Sequence, residues 1–253
     1  MRAILTYHSI DESGSPISVG PDVFRAHCAF LAAGRVQVVS LETLWEDPPA
    51  GDAVAITFDD GFANFATEAM PVLRDHALPV TLFVVSDHVG GHNDWEGRRA
   101  RGVPHLSLLS WNELSDLAGR GVRIGAHTRR HRRLTSITGI ELMDEVQGCL
   151  ARIESALGRR PTSFAYPFGA VDEQAAAAVR EACALACTTE LRALGTHEDR
   201  ALLPRLDMFY FRDRGQLEAW GTAGFRSRLW LRGQGRRLRR LASGATRMSG
   251  SAA

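Results

Sequence analysis

The sequence predicts a barrel-like α/β fold, and three observations carry that prediction. Seven short apolar or β-branched runs recur between residues 3 and 208. Amphipathic stretches of helical length separate most of them, the pattern of βαβ units with parallel pairing. The unusual polar residues fall at or just past the ends of these runs, where α/β barrels carry their active face.

Taken in order, "AILTYH" (3–8) ends on His8, and "AVAITF" (53–58) is followed by Asp59 and Asp60. "PVTLFVV" (79–85) leads into a polar loop, 86–107, too long for a simple connector. "VRIGAH" (122–127) ends on His127, "SFAYP" (163–167) holds Tyr166, and "LACTT" (185–189) carries no charge. "LPRLDM" (203–208) holds Arg205 and Asp207. The helical stretches are "DVFRAHCAFLAAG", "FATEAMPVLRDHA", "SWNELSDLAGRG", "GIELMDEVQGCLARIESALG" and "DEQAAAAVREACA". The third opens on Ser110 with Glu113 three residues later, a capping box. Seven strands with such crossovers favour a barrel over an open sheet. Residues 1–221 are expected to form the catalytic domain, and 222–253 a basic, flexible tail whose helix Gly233 and Gly235 would interrupt.

Composition excludes several classes. With 45% hydrophobic and 23% charged residues, the 253-residue chain can bury a large core. A net charge of +1 argues against a global field for nucleic acid, and no reading surface is apparent. The exception is 226–240, with seven arginines and no acid. The four cysteines form no CxxC pair and read as buried, reduced thiols. No apolar run approaches a membrane span, and "MRAILTYHSI" lacks the features of a signal peptide, so the expected location is cytoplasmic.

The chemistry concentrates in few residues. Asp60, His127 and His131 make a three-ligand set of one carboxylate and two imidazoles, which suits a divalent metal with a position left open for water. Zinc is the first choice, with cobalt, nickel or manganese as substitutes. Alone, His-x₃-His also fits two surface histidines, and Asp-Asp-Gly also fits a helix cap with a turn glycine. Together they point to a metal. Water attacking a carbonyl needs a base for its proton, and Asp59 is placed for that work.

The pieces "ITFDDGF", "IGAHTRRHRRLT" and "FAYPFG", in that order, resemble the polysaccharide deacetylase family, the NodB-homology or carbohydrate esterase 4 group. The resemblance runs from about residue 3 to 210. It implies a distorted (β/α) barrel of about seven strands and removal of N-acetyl groups from amino sugars of a glycan, releasing acetate. It implies Asp59 as catalytic base, Asp60, His127 and His131 as metal ligands, and the Tyr166 backbone N–H as oxyanion donor. Two departures stand out. No Leu-x-His follows "FAYPFG", so the general acid falls to His8, as in the poly-N-acetylglucosamine deacetylase branch that begins with a similar strand; His197 is the second candidate. A core histidine satisfied by backbone is the plainer role for His8. The usual arginine of Arg-x-x-Tyr is also missing, with Thr162 and Ser163 in its place. Arg205 is the substitute expected to hold the base, and Asp207 the group expected to orient the acid.

Weaker signals complete the reading. Trp95 offers a sugar-stacking platform, while Trp111 reads as a packed helix start. Arg129 and Arg130 fit either an anionic substrate or solvated charge. The basic tail, with Phe225, Leu229 and Trp230, suits an anionic membrane surface. That gives one alternative, a deacetylase or deformylase of a polyprenyl-linked aminosugar at the inner membrane face. The other is a catalytically inactive glycan-binding barrel, against which the complete Asp-Asp-His-His set argues.

Overall fold

A computed structural model describes residues 1–97, 101–213 and 215–248, with 237–248 described by backbone alone. Its strands are β1 Arg2–Tyr7, β2 Ser9–Ile10, β3 Ser18–Val19, β4 Gln37–Val38, β5 Ala53–Phe58, β6 Val80–Val84, β7 Arg123–Ala126, β8 Ser163–Ala165, β9 Leu185–Cys187 and β10 Leu206–Asp207. The α-helices are α1 Pro21–Ala32, α2 Leu41–Glu46, α3 Met70–Asp75, α4 Trp111–Gly119, α5 Gly139–Met143, α6 Cys149–Leu157, α7 Glu173–Ala182 and α8 Ala223–Met248. A wide helical turn, Asp144–Gly148, joins α5 to α6. Ser110 and Glu113 complete the expected capping box at α4.

One parallel sheet runs in the order β10-β1-β5-β6-β7-β8-β9, with β4 on the start of β5. Leu203 bridges Cys187 of β9, and Leu206 pairs with Leu5 of β1. Residues 203–207 therefore touch both edges of the curled sheet, and the seven-strand path forms a distorted barrel. The physical basis is strand alternation. Ile4, Ala55, Phe83, Ala165 and Cys187 point into the curl, where Leu41 and Leu44 of α2 close its amino end. Leu5, Ile56, Leu82, Phe164 and Val179 pack between sheet and helices. Strand β5 is buried along its whole length, so its carboxyl end can present polar groups only into the barrel mouth.

The four cysteines are buried and unpaired, and burial pushes each thiol up to about 12. Among the described residues, no helix is long and apolar enough to cross a membrane. The tail expected to be flexible starts as an ordered helix: α8 runs through Gly233 and Gly235, and Phe225 and Leu229 are buried with Phe211, Leu217 and Trp220. Those apolar contacts offset the low helix propensity of the glycines.

Candidate active site

Ala53, Ala55, Thr57 and Asp59 alternate along one face of β5, so Asp59 enters the barrel mouth by strand geometry alone. The next residue should face the opposite way. Instead Asp60 adopts φ 72°, in the left-handed region, and the chain turns there. The divergence of two adjacent carboxylates thus comes from a backbone reversal as well as from the pleat. Five non-glycine residues among those described have positive φ, and four of them (Asp60, Thr128, His131 and Phe168) sit at this site. Such conformations persist where the surroundings over-determine them, as at functional centres.

Asp60 Oδ1 lies 3.3 Å from His127 Nε2 and 3.2 Å from His131 Nε2. All three residues are buried, and one ligand atom of each falls within 4.8 Å of the others. His127 Nδ1 is 2.7 Å from the Ala165 carbonyl, which can only accept, so Nδ1 carries the proton and Nε2 keeps its lone pair for the cluster. The His131 amide donates to Thr128 Oγ1 at 3.0 Å, fixing the tight turn of the histidine loop. Among the described residues no donor hydrogen-bonds to Asp60 Oδ1, although burying a carboxylate oxygen without a partner is costly. Burial acts to raise the Asp60 pKa, and the imidazoles outweigh it, holding the carboxyl well below its usual range. An ionised, under-coordinated carboxylate facing two imidazole nitrogens fits a divalent cation.

Asp59 has a different partner. Arg205 Nη1 and Nη2 donate to its two carboxylate oxygens at 2.7 and 2.6 Å, with both side chains essentially inaccessible to solvent. Arg205 is itself held by the Thr188 carbonyl at 2.9 Å from Nε. Burial would raise the Asp59 pKa, but the guanidinium and nearby imidazoles lower it on balance. His8 Nε2 stands 3.8 Å from Asp59 Oδ2 and keeps a partly exposed side chain. The structure therefore brings Asp59, Asp60, His127, His131, His8 and Arg205 together at one mouth of the barrel.

Other expected site residues lie elsewhere. The Tyr166 amide bonds to the Cys187 carbonyl at 3.0 Å in the sheet ladder, so it has no proton to offer an oxyanion. Its ring packs in the outer layer, because strand alternation sends Ala165 inward and Tyr166 outward, and burial raises its phenol pKa. Tyr166, expected as the oxyanion donor, therefore neither donates to an oxyanion nor reaches the substrate side of the sheet. The better donor is two residues on: the Phe168 backbone turns at φ 60°, its ring meets His131 at 4.6 Å, and no hydrogen bond engages its amide among the described residues. The sequence signal for it was the Pro-Phe-Gly turn. Asp207 does not orient His8; its carboxylate accepts from the Phe209 amide at 3.1 Å and from Arg236 at 3.3 Å. His197 is exposed in the loop after Leu194, which bridges Arg2 at the amino end of β1, across the barrel from this centre. Trp95, partly buried in the long loop, lies over His131 with ring centroids 4.4 Å apart. Trp111 packs at the start of α4 beneath Arg152.

Arg129 and Arg130 serve internal ion pairs. Arg129 reaches Asp87 and Asp144, and Arg130 reaches Asp144 and Glu145. Glu145 is fully buried and accepts from both the Arg130 amide and its Nη1 at 3.0 Å. It clamps the histidine loop onto the turn between α5 and α6. Glu145→Ala is expected to cost about 2 kcal/mol, because it strands two donors although Arg130 is partly solvated. An unchanged urea midpoint would show that the clamp adds nothing.

Comparison with known proteins gives a consistent context. The family model described as "Polysaccharide deacetylase" matches residues 46–184. The poly-beta-1,6-N-acetyl-D-glucosamine N-deacetylase of Staphylococcus epidermidis is 22% identical over 203 residues, covering 75% of this chain and 67% of that protein. YxkH of Bacillus subtilis, which carries a polysaccharide deacetylase name, is 27% identical over 176 residues, or 68% of this chain. That match spans only 58% of YxkH. Among solved structures, IcaB from Ammonifex degensii superposes with a TM-score of 0.68 at 23% identity, covering 87% of this chain and 96% of its own. The Streptococcus pyogenes deacetylase PplD, in complex with acetate, gives 0.69 at 21% identity, covering 81% and 91%. At such identities these two likenesses speak for the fold. His8, Arg205 and α8 all lie outside the span that the family model matches.

Proposed function

The chain belongs to the polysaccharide deacetylase family, and from that premise we propose that it is a divalent-metal-dependent hydrolase removing N-acetyl groups from amino sugars of a glycan. The observation that supports this most is the pairing of two buried carboxylates with separate partners, Asp60 with His127 and His131 and Asp59 with Arg205. Asp60, His127 and His131 would hold the ion. Such an ion supplies Lewis acidity toward a carbonyl and toward water.

The remaining chemistry falls to the chain's own groups. Arg205 keeps Asp59 ionised and fixes the plane of its carboxylate, so that Asp59 can accept the proton of the attacking water. The Phe168 amide can donate to the oxygen on which negative charge develops. His8, at the end of β1 and beside Asp59, can protonate the departing amine. Carbon–nitrogen cleavage then yields acetate and a free amino sugar. Trp95 walls the site against His131.

The test is acetate release from N-acetylglucosamine oligomers by purified protein. We expect one divalent ion per chain, loss of acetate release on chelation, and recovery on adding zinc or cobalt. Undiminished release by metal-stripped protein would overturn the metal dependence. Ion without acetate from any N-acetylated glycan would favour the binding barrel.

A further inference from the structure

Helix α8 packs on the outer layer of the barrel by one face. Just before it, Trp220 Nε1 donates to Asp52 Oδ2 at 2.7 Å, at the amino end of β5. Phe225 and Leu229, four residues apart, are buried with Phe211, Leu217 and Trp220. Further along, Arg232 donates to the Tyr210 carbonyl, and Arg236 reaches Asp207 of β10 at 3.3 Å. Gly233 lets the helix come close, since a Cβ there would fall 2.7 Å from the Leu191 carbonyl oxygen.

The opposite face lies in solvent. At about 100° per residue, Trp230 and Leu231 fall away from Phe225 and Leu229. They are 63% and 62% exposed, two adjacent members of the five large apolar side chains exposed among the described residues. Arg226 and Arg228, both exposed, flank this face on its two sides. Residues 226–240 hold seven arginines and no acid, although the whole chain carries a net charge of only +1. The fold uses Arg232 and Arg236, and the catalytic centre uses none of the seven.

Whatever covers this face must accept an indole and a leucine side chain and supply negative charge. A second copy of the chain would set arginines against arginines. A nucleic-acid duplex would satisfy the arginines but give Leu231 no apolar medium. Anionic lipid headgroups meet both needs, because indole rings settle at the lipid–water interface and guanidinium groups pair with phosphates. An apolar contact and a basic patch acting together give peripheral attachment.

We infer that the outer face of α8 docks the protein on a membrane surface rich in anionic lipid. Trp230 and Leu231 enter the interface, and the arginines hold the headgroups. The face takes no part in the proposed chemistry, so lipid binding and acetate release are separable.

Co-sedimentation of the full chain with vesicles tests the docking face. One vesicle set is phosphatidylcholine alone, and the other is equal parts phosphatidylcholine and phosphatidylglycerol. We expect at least about tenfold tighter binding to the anionic set in about 0.1 M salt, most of it lost in about 0.5 M salt. Replacing Trp230→Ala and Leu231→Ala together should weaken binding about tenfold while the melting temperature and acetate release hold. Arg226→Gln with Arg228→Gln provides a second variant if the first fails to fold, with a loss of about tenfold. Equal binding to both vesicle sets, or undiminished binding by the folded variants, would overturn the docking face. Absence of vesicle binding would do so too, whether the protein instead dimerises through Trp230 in sedimentation velocity or binds a DNA duplex.

Discussion

Asp59→Asn is expected to lower kcat by about 10²- to 10⁴-fold, the range that a positioned general base supplies. Bound metal should stay at the level of the unmodified protein. The amide is nearly isosteric with the carboxylate and leaves Asp60, His127 and His131 untouched, but it cannot accept the proton. Metal analysis beside acetate kinetics checks both halves. Loss of metal in this variant would move Asp59 into the ligand set. His8→Ala completes the pair on the leaving-group side, with turnover falling and metal retained. A fully active His8→Ala protein would leave the amine without its proposed acid and return His8 to a structural role.

Arg205→Met should combine the largest stability loss with a displaced pH profile. Removing one member of a buried ion pair leaves the other uncompensated, a cost of about 3–5 kcal/mol. Arg205 is 1% exposed and donates to both Asp59 oxygens, so little solvent is at hand to replace it. The sign with pH follows from the Asp59 carboxyl, whose folded pKa is depressed with Arg205 as the main cause opposing burial. The pair's contribution is complete above the unfolded Asp value and fades as pH falls through the folded one. The stability gap between variant and unmodified protein should therefore narrow on acidification. A base must be ionised to act, so the acid limb of kcat/KM should move to higher pH in Arg205→Met. Arg205→Lys keeps the charge without the two-pronged geometry and should recover part of the stability. An acid limb that stays in place would separate Arg205 from the base.

Much of this centre was legible because its residues follow strands in a fixed pattern. "AVAITF" is followed by Asp59, which continues its two-residue alternation, and "VRIGAH" ends on His127. His131 follows four residues later, and no core-facing strand explains its type. Tyr166 shows the limit of such reading. One residue of phase along β8 decides whether a side chain faces the barrel or the helices, and the flanking text "FAYPFG" does not reveal that phase. The Phe168 amide escaped notice because a positive φ is a backbone property that residue type does not announce. Asp207 and Arg236 show a further blind spot, since an ion pair between segments 29 residues apart forms only once α8 is docked.

The sequence by itself determined the seven strands of the barrel path, the parallel α/β class, the clustering of Asp60, His127 and His131, and the presence of a second carboxylate beside them. Periodicity and short-range spacing are enough for those. The sequence did not foresee the short strands β2, β3 and β4. The tertiary structure alone decided what the spare carboxylate touches. Arg205 lies 146 positions from Asp59, between the residue that bridges β9 and the residue that pairs with β1. Its guanidinium reaches Asp59 because the sheet curls until those two edges meet, and that curl arises from strand twist and core packing summed over the whole barrel.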